Sequence, residues 1–288
     1  MNPYRIDEPA CVSFSGGRSS AYMLYHILDA HGGLPDNIKV VFANTGREMP
    51  ETLDFVHEVS TRWNVPITWI EYAGVASTGV WEAGPHKGKP KMKGAYRTVT
   101  YETASRNGEP FLQLIRDRKM CPNVVARFCT ASLKVRGIHE ITKEHGNLQV
   151  IGIRGDEQRR ALKIHGKIEG GRESYCPMWL AKVTKEQVGE FWKAQPFDLR
   201  LPNNNGVTDW GNCDLCFLKG RGKRVSIIQQ RPDLVRWWID AEDLAVSLAG
   251  STGVGFRNGD SYRQLLADAQ SSEALQFDDA TIPCYCGD

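Results

Sequence analysis

A chain of 288 residues with 41% hydrophobic and 24% charged residues can bury a full core, as one domain of about 200 residues plus an appendage or as two modest domains. No apolar run approaches the roughly 20 residues that cross a bilayer, and Asp7 and Glu8 interrupt any signal peptide, which argues against a membrane partner and places the chain in the cytoplasm. A net charge of +2 selects no partner by itself, and the sequence sets no oligomeric state.

The first elements follow a clear rhythm. Ala10–Phe14 reads as a strand, Ser15–Ser19 as a glycine-bearing turn, and Ser20–Ala30 as a helix with Met23, Leu24, Ile27 and Leu28 at helical spacing. Ile38–Ala43 is a near-continuous apolar strand of the kind a parallel sheet buries on both faces. Pro50–Trp63 is a helix with proline in its first turn, and Pro66–Glu71 a third strand. Between Gly74 and Asn107 periodicity fades, which predicts a long surface loop or insertion. Pro110–Arg118 and Ala131–Glu144 read as helices and Leu148–Ile153 as a strand returning to the sheet.

After Ile164 the character changes. Glu169–Pro177 is turn-rich, Thr184–Lys193 is a helix capped by Thr184, and Pro202–Gly211 is a loop; helices are expected from Val225 to Gln230 and from Leu234 to Ala245. The sum is an α/β chain: a doubly wound, mostly parallel sheet with helices on both faces, followed by a cysteine-bearing, mostly helical C-terminal extension. The boundary falls near 168, giving a core at 1–168 and an extension with its tail at 169–288.

Two basic runs stand out, Lys87, Lys89, Lys91, Lys93 and Arg97, and then Lys219, Arg221, Lys223 and Arg224. Most such runs are solvated surface, but beside a phosphate site they can guide an anionic substrate. Aromatics are not interleaved regularly with these charges, so nucleic acid stays open as a partner without being demanded.

The most informative local segment is Ser13-Phe14-Ser15-Gly16-Gly17-Arg18-Ser19-Ser20. Adjacent glycines let backbone amides converge on one anion, the following helix points its positive end there, and Ser15, Ser19 and Ser20 add hydroxyls. Arg18 offers a charged fork if it turns inward. The lysine and spacing of a Walker A loop are absent.

Cysteines fall at 11, 121, 129, 176, 213, 216, 284 and 286. Cys213-x-x-Cys216 lies in a glycine-flanked loop, where two sulfurs can share a metal, form a redox disulfide or stand together by chance. Cys129 and Cys176 supply two further thiols if the extension folds back over the strand ends. The histidines have no metal or triad spacing.

The Ser15–Ser20 loop resembles the SGGxDS loop of the PP-loop ATP pyrophosphatase superfamily and the matching loop of phosphoadenosine phosphosulfate reductases. Asn44-Thr45-Gly46-Arg47-Glu48-Met49-Pro50-Glu51 resembles the superfamily's DTGxxxPE segment. Arg127-Phe128-Cys129-Thr130 with Leu133-Lys134, and Gly152–Glu157 with Arg159-Arg160, match further along. The resemblance implies an adenine nucleotide across the carboxyl ends of the strands, near Asn44, Thr45, Gly46 and Glu51, with Lys134, Arg154, Arg159 and Arg160 contacting its anionic groups. Ser19 and Asn44 replace aspartates of the pattern, removing negative charge where ATP and Mg²⁺ would be managed. With ATP, Mg²⁺ would need another carboxylate, Asp156 or Glu157.

The same resemblance implies a [4Fe–4S] cluster on Cys129, Cys176, Cys213 and Cys216, with Cys121 a substitute for Cys176 and zinc the alternative metal. A three-ligand cluster would instead leave one iron able to carry sulfur. Cys284-Tyr285-Cys286 matches the position of the mobile tail cysteine of sulfonucleotide reductases, whose thiolate attacks the sulfate sulfur before a thiol donor releases sulfite. The expected function is therefore sulfonucleotide reduction, with Cys286 or Cys284 as nucleophile and Lys134 and Arg154 stabilising charge. ATP-dependent sulfur insertion or removal on tRNA, DNA or another acceptor is the alternative, and a non-catalytic nucleotide-binding regulator the third.

Overall fold

The computed structural model describes residues 2–203, 208–251 and 254–271. The chain opens with β1 (Ala10–Phe14), α1 (Arg18–His31), β2 (Ile38–Asn44), α2 (Pro50–Arg62), β3 (Ile67–Val80) and β4 (Pro90–Val99). There follow α3 (Glu109–Arg118), a π-helical turn at Thr130–Val135, α4 (Arg136–Ile141), β5 (Leu148–Ile151), α5 (Gln158–Ile164), β6 (Ile168–Glu169) and β7 (Arg172–Tyr175). The extension supplies α6 (Pro177–Leu180), α7 (Lys185–Lys193), α8 (Arg221–Gln230), α9 (Val235–Ala249) and α10 (Tyr262–Gln270).

One seven-stranded sheet runs in the order β4-β3-β2-β1-β5-β7-β6. The strands from β3 to β7 are parallel neighbours, and β4 and β6 close the two edges antiparallel. The apolar runs explain why β1 and β2 sit centrally: Val12, Phe14, Val40 and Phe42 pack into the main core with α1 and α2, while Cys11, Val41 and Ala43 face a second core closed by Ile138 of α4. Both faces are thus covered, as the doubly wound reading expects. The extension shares the main core, since Trp192, Phe217, Trp238 and Phe256 belong to the same buried cluster as Phe42 and Phe111.

Two stretches depart from the sequence reading. Residues 74–107 are not one long loop: β3 runs on to Val80 and pairs with β4 in an antiparallel ribbon whose register slips between Tyr72 and Val75 and between Ser77 and Val80, while 81–89 and 100–107 are turns. Residues 75–90 are exposed, so the alternation that marks a half-buried strand never arises. Likewise, the turn-rich segment before Cys176 contains β7, four residues too polar to read as a strand but paired in parallel with β5. Thr184 caps α7 as expected, with Gln187 completing a reciprocal capping box. Among the described residues no helix is long and apolar enough to cross a membrane.

Candidate functional site

Parallel strands direct their carboxyl ends to one edge, and the cleft there is lined by Ser13, Phe14 and Ser15 after β1, Ala43 of β2, and Gln149, Ile151 and Gly152 of β5. Ser20 of α1 and Thr130, Lys134, Val135 and Ile138 complete the lining. Ser15 closes the turn, its amide donating to Ser20 Oγ at 3.2 Å, while Ser20 Oγ donates to the Gly17 carbonyl at 2.9 Å. The first amides of α1 have no partner within the helix, which leaves positive potential at the cleft.

Not every loop residue faces that cleft. Gly16 has a φ of +78°, and a Cβ there would lie 2.8 Å from Thr52 Cγ2, so glycine is required where the turn presses on α2. Arg18 does not turn inward: its guanidinium forms a two-pronged pair with Asp198, at 2.6 and 2.5 Å, and ties the loop to the extension. Ser19 Oγ accepts from Arg154 at 3.1 Å, and Arg154 also pairs with Asp156. Arg160 pairs with Glu157 at 2.7 Å, whereas Arg159 is exposed. Asp156 and Glu157 are both committed to arginines.

Ser13 is set by a relay that the sequence reading missed. His139 Nε2 lies 2.7 Å from Gln149 Oε1, and Gln149 Nε2 donates to Ser13 Oγ at 2.7 Å. Ser13 therefore keeps its own proton for a group in the cleft. The available signal was a polar glutamine inside the otherwise apolar β5, a placement that needs a hydrogen-bonding reason. Thr130 and Lys134 stand on the π-helical turn, a rare geometry concentrated at functional sites.

The Asn44–Glu51 loop serves a different wall. Asn44 Nδ2 donates to the buried Glu71 and to the Ser105 carbonyl, and its Oδ1 accepts from the Gly46 amide. Thr45 Oγ1 binds Glu48 at 2.9 Å and lies 3.5 Å from Cys213 Sγ. Lys134 Nζ is 3.7 Å from Glu48. Opposite, residue 213 bridges Glu48, the Asp214 amide donates to the Arg47 carbonyl, and Asp214 pairs with Arg47. Thr45, Arg47 and Glu48 thus dock the cysteine loop. Glu51 has its Oε2 buried without a hydrogen-bond partner among the described residues.

Cys129, Cys213 and Cys216 line one small pocket with Thr45, Thr130 and Lys134. Burial pushes the Cys213 thiol well up, Glu48 adding to the shift and Lys134 opposing it. Cys176 does not join them. It packs with Ile153 and Ala161 in a separate cluster, its amide donates to His165, and burial pushes its thiol up to about 12. Cys121 is buried with its thiol toward the Ala241 carbonyl. Cys176 thus lies apart from Cys129, Cys213 and Cys216, because it follows β7 on the far side of β5. Among the described residues no three Cys, His, Asp or Glu side chains are close enough to hold one metal ion. All-sulfur donors around one pocket suit iron–sulfur chemistry and would not hold Mg²⁺. Cys284 and Cys286 lie outside the described residues.

Residues 9–195 match the family model of the phosphoadenosine phosphosulfate reductase domain. The chain belongs to that family. An uncharacterized nin region protein, ORF290 of Escherichia phage lambda, is 32% identical over 216 residues, 74% of this chain and 67% of that one. A phosphoadenylyl-sulfate reductase from Candida auris in a phosphate complex has a TM-score of 0.36 at 17% identity, over 64% of this chain and 71% of that one. The U34-tRNA thiolase NcsA from Methanococcus maripaludis with its [4Fe–4S] cluster has a TM-score of 0.41 at 13% identity, over 97% and 80%. In this phosphoadenosine phosphosulfate reductase-domain protein the Cys213–Cys216 loop lies past the matched stretch, so the family core supplies the cleft and Cys129 while the extension supplies the other two thiols.

Proposed function

We propose that the protein is a sulfur-chemistry enzyme that holds an adenine nucleotide in the cleft at the ends of β1, β2 and β5 and handles sulfur at Cys129, Cys213 and Cys216. One observation carries this reading: Thr130 and Lys134 line both the cleft and the cysteine pocket. Ser13, Ser15 and the first amides of α1 bind an oxyanion, and Lys134 supplies a cation between it and the thiols. The three cysteines would hold a [4Fe–4S] cluster, which when bound offers an iron without a protein thiolate where sulfur can be carried.

One chemistry this wall would serve is nucleotide-driven sulfur transfer. An acceptor oxygen attacks the α-phosphorus of ATP, pyrophosphate leaves, and sulfide supplied at the thiol pocket displaces AMP from the activated carbon. The second reading, reduction of adenylyl sulfate or its 3′-phosphorylated form by a tail thiolate, is favoured by the family match over residues 9–195. There a sulfur–sulfur bond forms as the nucleotide leaves, and a second thiol then releases sulfite and forms a disulfide.

The test begins with anaerobic protein reconstituted with iron and sulfide. Wild type and Cys176→Ser should retain iron and acid-labile sulfide, whereas Cys129→Ser and Cys213→Ser should lose both. Lys134→Met should weaken nucleotide binding on the order of tenfold. AMP and pyrophosphate from ATP support transfer, while sulfite from a sulfonucleotide supports reduction. Nucleotide binding that ignores Lys134 refutes the shared-wall reading.

A further inference from the structure

The ribbon of β3 and β4 does not line the cleft, and its far end is open to solvent. Beyond Tyr72 it leaves the core, and between residues 75 and 99 the chain carries Lys87, Lys89, Lys91, Lys93 and Arg97 against the single carboxylate Glu82. Lys93 and Arg97 are tied back to Glu140 and Glu71. Lys87, Lys89 and Lys91 make no ion pair among the described residues.

Apolar side chains share this surface. Val80, Trp81 and Met92 keep 52%, 45% and 56% of their area in water. Of the three, Trp81 is the one placed against the basic side chains, and an indole left 45% in water beside lysines offers a ligand both an apolar face and positive charge. The tip is also ordered by its backbone. Trp81 donates to the Lys89 carbonyl at 3.0 Å and accepts from Gly88 at 2.8 Å, which holds the indole beside the lysines. Lys91 Nζ lies 5.1 Å from the indole centroid.

We propose that this ribbon binds a single-stranded nucleic acid, with Lys87, Lys89 and Lys91 on its phosphates and Trp81 stacked on a base. Lys87 and Lys89 stand on the turn that joins the strands and Lys91 on the first residues of β4, so three cations gather at one end of the ribbon where the phosphates of a strand can meet them, and an exposed indole gives an unpaired base a π-face that a duplex would not expose. The proposal does not depend on the reading of the cleft, because a ribbon can hold a strand whether or not the nucleotide turns over.

Fluorescence anisotropy with an end-labelled mixed-sequence oligonucleotide, across a salt series, tests it on the full chain. Lys87→Gln with Lys89→Gln and Lys91→Gln should weaken binding at least about tenfold and flatten the log affinity against log salt slope by about 2. Trp81→Ala should cost about tenfold with the slope unchanged. Adenine-nucleotide binding should be the same in all variants. No binding by the wild type, unchanged affinity in the triple variant, or a silent Trp81→Ala overturns the proposal. Tighter binding to the matching duplex or to phosphatidylserine vesicles than to the single strand overturns it as well.

Discussion

The runs Lys87–Arg97 and Lys219–Arg224 look alike in sequence, each a string of cations broken by small residues. In the fold the first rides a solvent-facing ribbon, and three of its lysines have no carboxylate partner among the described residues. The second is absorbed into the extension. Lys219 donates to the Asp209 and Asp214 carbonyls, Lys223 pairs with Asp209, Arg221 with Asp260 and Asp268, and Arg224 with Asp260. A run of cations therefore has opposite meanings depending on whether distant aspartates fold onto it. The second run is spent on contacts within the extension, while most of the first is left to solvent.

The sharpest way to break this contrast is to remove the most buried cation of the second run. Arg224 has no exposed surface and sits against Tyr262, Lys219 and Asp260. Arg224→Met should cost about 3 kcal/mol in urea unfolding, because it removes a fully buried charge whose pair with Asp260 is lost, leaving Asp260 to Arg221 and Arg257. Burial alone would raise the Asp260 carboxyl, but Arg224 and Arg221 outweigh it and hold it below the usual range. A carboxyl lowered on folding contributes stability at neutral pH that is lost as the pH falls below about 4. Asp260→Asn should lack that acid-side loss, and an acid titration of the two proteins checks it.

Next in size is the link between the phosphate loop and the extension. Arg18→Ala leaves Asp198 unpaired where it is partly exposed, so the expected loss is smaller, about 1.5–3 kcal/mol. Proteolysis near Asp198 should accelerate if this pair anchors the extension. An unchanged unfolding midpoint would mean that the shared apolar core alone holds it.

How much of this was readable beforehand depended on burial. β1, β2 and β5 are apolar because both sheet faces are covered, so their runs declared them. The β3–β4 ribbon has two wet faces beyond Tyr72 and nothing to alternate, so it passed for a loop. At the site, the serines around β1 were legible from the glycine turn, and Lys134 from the resemblance. Gln149 was legible in principle and was overlooked. The separation of Cys176 from Cys129, Cys213 and Cys216 was not legible, because it depends on β7 pairing with β5, a non-local event with a polar four-residue signal. Asn44 and Thr45 were placed near the nucleotide but spend their hydrogen bonds on Glu71, Ser105 and Glu48, which only the folded chain brings into reach.

A smaller effect belongs to α7, which packs Trp192 on α1 through an indole N–H to the Arg18 carbonyl at 3.0 Å. Its start depends on the Thr184–Gln187 box, so Thr184→Ala should cost about 1 kcal/mol. The smallest change is expected where the charge density looks highest. Replacing Lys87, Lys89 and Lys91 together with glutamine should move the unfolding free energy by no more than about 0.5 kcal/mol, since each stem is solvated and no carboxylate is stranded. Those lysines repel one another more than they attract the fold, so a slight gain at low salt is the expected sign. A large loss would mean that the ribbon's charges brace the core as those around Arg224 do, and the contrast between the two runs would vanish.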